Sequence, residues 1–107
     1  MQGIQSISPG AYAAQDADTR PILIDVREPW EFNIAHVERS QLKPLGQIHD
    51  WAKALEKEAA YVIICHHGGR SMMACQFLWQ AGIKKVANLD GGIDAWSMSV
   101  DPKIPRY

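Results

Sequence analysis

One heptapeptide concentrates the chemistry available to this chain: Cys65-His66-His67-Gly68-Gly69-Arg70-Ser71. A sulfur nucleophile is followed by two glycines, which allow successive backbone N–H groups to turn inward as a nest of donors. An Arg-Ser pair then opens a helix whose N-terminus adds partial positive charge. Donors of this kind favour the thiolate over the thiol, and Arg70 and any protonated histidine push the same way. The thiolate is a ready nucleophile at neutral pH. A persulfide left on that sulfur would itself be an anion among the same donors, so one cradle serves both the attack and the stored intermediate. Cys65 is the expected nucleophile. His66, His67, Gly68, Gly69, Arg70 and Ser71 are the expected donor-binding residues. The plainer reading, a structural cysteine beside a glycine turn, leaves the glycines, arginine, serine and helix start unexplained as a set. Adjacent residues on a tight loop rarely converge on a metal, and no second ligand pair with zinc-like spacing appears. The pattern therefore implies no metal and no cofactor.

A loop of this kind must be held by regular elements on both sides. Tyr61-Val62-Ile63-Ile64 is an unbroken apolar run that reads as a strand buried on both faces and leads directly into Cys65. Ala74, Phe77, Leu78 and Ala81 fall at helical spacing after the loop, and Gly82 suits a glycine C-cap before a strand around Lys85–Leu89. Upstream, Ser8-Pro9 is an N-cap followed by proline, so a short helix is expected to open the domain. Ile22–Val26 reads as a second buried strand. Glu28–Phe32 reads as one or two helical turns that pack Trp30 or Phe32 on the core. The segment His36–Leu45 carries no clear signal. Gln47–Glu58 places Ile48, Trp51, Ala52 and Leu55 on one helical face. Asp90-Gly91-Gly92 turns into a last short helix carrying Trp96, and a tail with Pro102 and Pro105 is expected to run irregularly over the surface. Strands alternating with helices predict an α/β domain with a mainly parallel sheet and helices on both faces. In such sheets the working site lies at the carboxyl ends of the strands, where this reading places Cys65.

Size and charge exclude several functions. The chain of 107 residues is read as one domain, residues 1–107, with a core over about 4–96 and an irregular tail over 97–107. Eleven Lys and Arg against twelve Asp and Glu leave a net charge of -1 with no run of like sign, so nucleic acid and membrane are not expected partners. The longest apolar stretch, Ala59–Cys65, is far shorter than the roughly 20 residues that cross a bilayer. Met1–Ser6 shows neither the basic start nor the apolar core of a secretory signal, which points to the cytoplasm. There, Cys65 and Cys75 are expected as free thiols.

The loop resembles the active loop of the rhodanese family, which reads Cys-x-x-Gly-x-Arg-Ser in many single-domain members. Two further stretches are similar in the family's order: Leu23–Phe32 (Leu-Ile-Asp-Val-Arg-Glu-Pro-Trp-Glu-Phe) before, and Asn88–Trp96 (Asn-Leu-Asp-Gly-Gly-Ile-Asp-Ala-Trp) after. The resemblance implies a rhodanese-like three-layer α/β domain around a central, mainly parallel five-stranded sheet. It also implies a catalytic cysteine at Cys65 and a role for Arg70 in holding anionic donors. The implied reaction is sulfurtransferase chemistry: a sulfane sulfur passes from thiosulfate or a persulfide donor through a Cys65 persulfide to cyanide, a small thiol, a thioredoxin-like protein or a sulfur-carrier protein. One stretch departs from the pattern. Many members have Gly-His-Ile-x-Gly-Ala, whereas this chain has Ala35-His36-Val37-Glu38-Arg39-Ser40.

Asp25, Arg27 and Glu31 are candidates for a charge network supporting the cysteine loop, with an exposed turn of ordinary surface ion pairs as the alternative. His36, the four tryptophans and Met72 and Met73 read as locally satisfied, packing or helix-surface residues. Cys75 reads as a packing residue, with a resolving role as the alternative. Two rival functions stand beside sulfur transfer. One is a non-catalytic rhodanese-like interaction module. The other is a cysteine-dependent phosphatase, against which loop length argues: four residues separate Cys65 from Arg70, where related dual-specificity phosphatases have five.

Overall fold

In the computed structural model, which describes residues 4–107, five strands form one sheet in the order β1-β5-β4-β2-β3 with every pairing parallel. Met1–Gly3, the start of the segment read for a secretory signal, lie outside the described residues. The strands are β1 (Gln5–Ile7), β2 (Ile22–Asp25), β3 (Gln41–Leu42), β4 (Tyr61–Ile64) and β5 (Val86–Leu89). The helices are α1 (Pro9–Ala13), α2 (Pro29–Ile34), α3 (Ile48–Trp51), α4 (Gly69–Gln80) and α5 (Gly92–Ser99).

β4 lies at the centre of the sheet and shows why its sequence is apolar throughout. Tyr61, Ile63 and Cys65 belong to the core layer shared with Ile48 and Ala52 around α3 and with Ala74, Cys75 and Leu78 of α4. Val62 and Ile64 face the other layer, with Tyr12 of α1 and Ile93 and Trp96 of α5. Both faces are covered, so alternation with polar residues would bury unpaired polar groups. Each large aliphatic side chain buried here contributes about 1.5–3 kcal/mol.

Local signals set the helix ends. Ser8 caps α1 by accepting from the Ala11 N–H at 3.1 Å. α4 closes in a Schellman motif: Gly82 at φ +99° donates to the Trp79 carbonyl at 3.1 Å, and Ile83 donates to Leu78 at 3.0 Å.

Several expectations need correction. β1 precedes the opening helix and β3 lies in the segment that carried no signal; both are short, exposed in part and begin with glutamine, so neither leaves an apolar run. The helix expected over Gln47–Glu58 is a 3₁₀ turn at Leu45–Gln47, α3, and a second 3₁₀ turn at Ala52–Ala54. Of its expected apolar face, Ile48 and Ala52 are buried, and Trp51 and Leu55 are half-buried against the same core. On α2 the inward residue is Glu31, while Trp30 is 60% exposed and Phe32 only half-buried. The tail is irregular, but it does not simply cross the surface: it carries Tyr107 back to the carboxyl ends of the strands.

The departure at 35–40 keeps a left-handed turn. Arg39 adopts φ +71° where the family pattern has its second glycine, and it pairs with Asp18 at 3.2 Å on the surface. A side chain in that region costs about 1 kcal/mol.

Candidate active site

Cys65 is the first residue beyond β4 and is only 1% exposed. The chain reverses through Gly68 at φ +115°, a conformation that glycine adopts freely, and α4 starts at the next residue. This geometry brings the Gly68 N–H to 3.0 Å from the Cys65 Sγ, at the positive end of the α4 dipole. The Ser71 Oγ lies 3.2 Å from the same sulfur. Only the first of the two glycines is turned: Gly69 has an ordinary φ and open space around it, so the expected pair of inward-turned glycines reduces to Gly68. A single amide and a hydroxyl, rather than a ring of amides, contact Sγ.

Ser71 is fully buried and has three possible acceptors for one proton: Sγ, the Gly68 carbonyl at 3.1 Å and the Asn88 Oδ1. Asn88 on β5 also donates through Nδ2 to the Gly68 carbonyl at 3.2 Å. The hydroxyl can therefore rotate from Asn88 to a sulfur that has lost its proton. Asn88 did not figure among the expected site residues, although a polar side chain in the otherwise apolar run Val86–Leu89 was a usable signal.

The N-terminus of α5 holds the other side of the loop. Ile93 N–H donates to the Cys65 carbonyl at 2.8 Å and Asp94 N–H to the His66 carbonyl at 3.2 Å. Gly92, at φ +62°, makes this contact possible; a Cβ there would collide with both carbonyl oxygens. His66 and His67 stack at 3.9 Å, and His66 stacks in turn on Tyr107 at 3.9 Å and 6°. Burial, and then the neighbouring His67, push the His66 pKa below its ordinary value. The His66 Nε2 is buried with no hydrogen-bond partner among the described residues. Both histidines form one wall of the site, and neither hydrogen-bonds Sγ. With Asp94 they bring one ligand atom each within 4.8 Å. However, stacked rings present their lone pairs side by side, and the Asp94 carboxylate is held by Arg106 at 2.8 Å, so the set does not converge as a tetrahedral site requires.

Asp25, Arg27 and Glu31 are all buried and form a network, not an exposed turn. Arg27 meets Asp25 through Nη2 at 2.7 Å and Nε at 2.9 Å, and donates through Nη1 to the Tyr107 hydroxyl at 2.8 Å. That hydroxyl donates to Glu31 Oε2 at 2.7 Å. Arg70, for which the resemblance implies a role in holding anionic donors, makes a bidentate pair with Glu31 at 2.6 and 2.9 Å. The Arg70 hydrogen bonds, opposed in part by burial, pull the Glu31 pKa down to about 2. Tyr107 is the residue that local sequence could not reveal, since nothing in its tail marks an inward return.

Cys75 lies fully buried inside α4, and burial pushes its thiol up to about 12. His36 is exposed, with Nδ1 3.0 Å from the Phe32 carbonyl and its ring stacked on Phe32. Surface cavities of about 590, 400 and 190 Å³ are lined by residues outside the Cys65 loop.

Comparison with known proteins gives a consistent match. The family described as Rhodanese-like domain matches residues 8–99. The chain is 44% identical over 89 residues to the Rhodanese-like/PpiC domain-containing protein 12, chloroplastic, of Arabidopsis thaliana, covering 79% of the chain but 30% of that relative. It is 32% identical over 75 residues to the thiosulfate sulfurtransferase GlpE of Pseudomonas fluorescens, covering 70% of the chain and 69% of the relative. A crystal structure of a rhodanese-related protein from Thermoplasma volcanium superposes with a TM-score of 0.83 at 29% identity, covering 96% of this chain and 99% of the other.

Proposed function

The chain belongs to the rhodanese-like family, and we propose that it is a sulfurtransferase that carries a sulfane sulfur on Cys65. The single observation that supports this reading best is the environment of Sγ: an amide donor at 3.0 Å, a rotatable hydroxyl at 3.2 Å and a helix N-terminus, all arranged for a sulfur anion.

The thiolate attacks the outer sulfur of thiosulfate, a new S–S bond forms as the donor's S–S bond breaks, and sulfite leaves with the electron pair. An organic persulfide donor reacts in the same way, with a thiolate as the leaving group. The Cys65 persulfide anion remains beside Gly68 and Ser71. Its terminal sulfur stands about 2 Å beyond the buried Sγ, which brings it toward an acceptor at the mouth. An acceptor thiolate, or cyanide in the test tube, attacks that terminal sulfur and returns the Cys65 thiolate. Acceptors of the thioredoxin-like or sulfur-carrier type fit this chemistry, in the cytoplasm, without a cofactor. The geometry disfavours phosphate hydrolysis, because the arginine that would clamp a phosphate is turned onto Glu31.

Intact mass after incubation with thiosulfate tests the proposal. The native protein should gain one sulfur atom, lose it to cyanide, and fail to gain it as Cys65→Ser. Uptake that survives Cys65→Ser would sink the assignment, and no uptake from any sulfane donor would leave the chain as a non-catalytic member of its family.

A further inference from the structure

Arg70 sits on the first turn of α4, where a cation would meet an anionic donor, yet its charge is already committed. The Glu31 carboxylate accepts from Arg70 Nη1 and Nη2, from the Tyr107 hydroxyl and from the Glu28 N–H at 3.0 Å. Four donors occupy the roughly four lone-pair sites of a carboxylate. The Glu31 side chain is 4% exposed, so withdrawing Arg70 would strand a buried charge, which is far costlier than opening a surface pair. Tyr107 cannot turn aside easily, because its hydroxyl is held by Arg27, which is itself held by Asp25. Arg106, the other arginine near the mouth, is paired with Asp94. Among the described residues, the groups that contact Sγ are dipoles, the Gly68 N–H and the Ser71 hydroxyl, and both nearby guanidiniums are already paired. Thiosulfate arrives with two negative charges and an organic persulfide with one. The desolvation cost rises with the square of the charge, so the dianion pays roughly four times as much to enter a site without a compensating cation.

Resting on the sulfurtransferase reading above, we propose that Glu31, locked by Tyr107, is a specificity-determining residue that masks Arg70 and tunes the Cys65 site to singly charged organic sulfur donors, persulfides and thiosulfonates, over dianionic thiosulfate. Glu31 does not react; it sets which anion the site accepts by holding Arg70. For a thiosulfonate the step balances as it does for thiosulfate: the Cys65 thiolate takes the outer sulfur, and a sulfinate leaves with the electron pair.

The test compares KM for thiosulfate and for the methanethiosulfonate anion, with cyanide as acceptor. The native protein should show a ratio of thiosulfate to methanethiosulfonate KM above about 10. Glu31→Gln, which keeps shape but releases the pair, should lower that ratio about tenfold, and the gain for thiosulfate should fade with added salt. The double variant Glu31→Gln, Arg70→Ala should return the ratio to its native value, since the gain acts through Arg70. Tyr107→Phe, which removes one donor and keeps the ring stack, should lower the ratio about twofold to threefold; it carries the test alone if Glu31→Gln fails to fold. A native ratio of one or less, an unchanged ratio in a folded Glu31→Gln or Tyr107→Phe protein, or a double variant that keeps the Glu31→Gln ratio overturns the proposal. If both donors load Cys65 without regard to charge, only this proposal fails. If neither loads it, the sulfurtransferase reading fails as well.

Discussion

Cys65 and Cys75 lie ten positions apart, at 1% and 0% exposure, and share one core layer, yet their surroundings differ completely. Cys75 sits in mid-helix, where every nearby backbone N–H is spent on the α4 ladder, and its thiol is pushed up to about 12, first by burial and then by Cys65. Cys65 sits where a strand has ended and a helix has not begun, and the unspent N–H of Gly68 is free to meet its sulfur. Burial alone does not decide what a cysteine can do. The supply of uncommitted donors at the end of an element does.

The sharpest way to break this contrast is alkylation. At pH 8, iodoacetamide should modify Cys65 at least about a hundredfold faster than Cys75, read by peptide mass, since the thiolate is the reactive form. Comparable rates at the two positions would show that the donors around Cys65 do not matter. A smaller effect should follow from moving the donors and leaving both sulfurs in place. Gly92→Ala puts a Cβ against the Cys65 and His66 carbonyls at φ +62° and should displace the loop. Sulfur loading should fall about tenfold or more, with a stability loss of about 2 kcal/mol in urea unfolding, while Cys75 remains protected. A fully active Gly92→Ala protein would show that the α5 contact is dispensable.

The smallest effect concerns acid. Glu31 titrates at about 2 in the folded protein against an ordinary 4.5. A depressed carboxyl pKa gives stability that is present in full above the unfolded value and is lost as pH falls through the folded one. The advantage of the native protein over Glu31→Gln in urea midpoint should therefore be constant above about pH 5 and shrink between 4.5 and 2. A difference that does not vary with pH would mean that Glu31 contributes only by shape. No corresponding acid dependence is expected around Cys75, where no carboxylate enters the environment of the thiol.

Much of the fold was legible in local sequence. The buried strands β2 and β4, the Ser8 cap, the Gly82 Schellman ending and the Cys65–Ser71 loop all announce themselves within a few positions, because capping, left-handed turns and two-sided burial are decided by neighbours along the chain. The sequence named Glu31 as a candidate for a supporting charge network but left an exposed turn equally open, because its burial depends on partners, Arg70 and Tyr107, that α2 itself does not supply. The same holds for what makes the loop a site. Arg70 finds Glu31 across 39 positions, Tyr107 finds Glu31 across 76 and Arg27 across 80, and Ser71 meets Asn88 across 17. The sheet order β1-β5-β4-β2-β3 brings the carboxyl ends of β2, β4 and β5 together. By itself the sequence determined a cysteine at a strand end with a glycine turn and a helix behind it. Tertiary structure decided that its arginine would be neutralised and its serine shared with Asn88, because a charged side chain takes the nearest partner in space, and only the folded topology determines which partner that is.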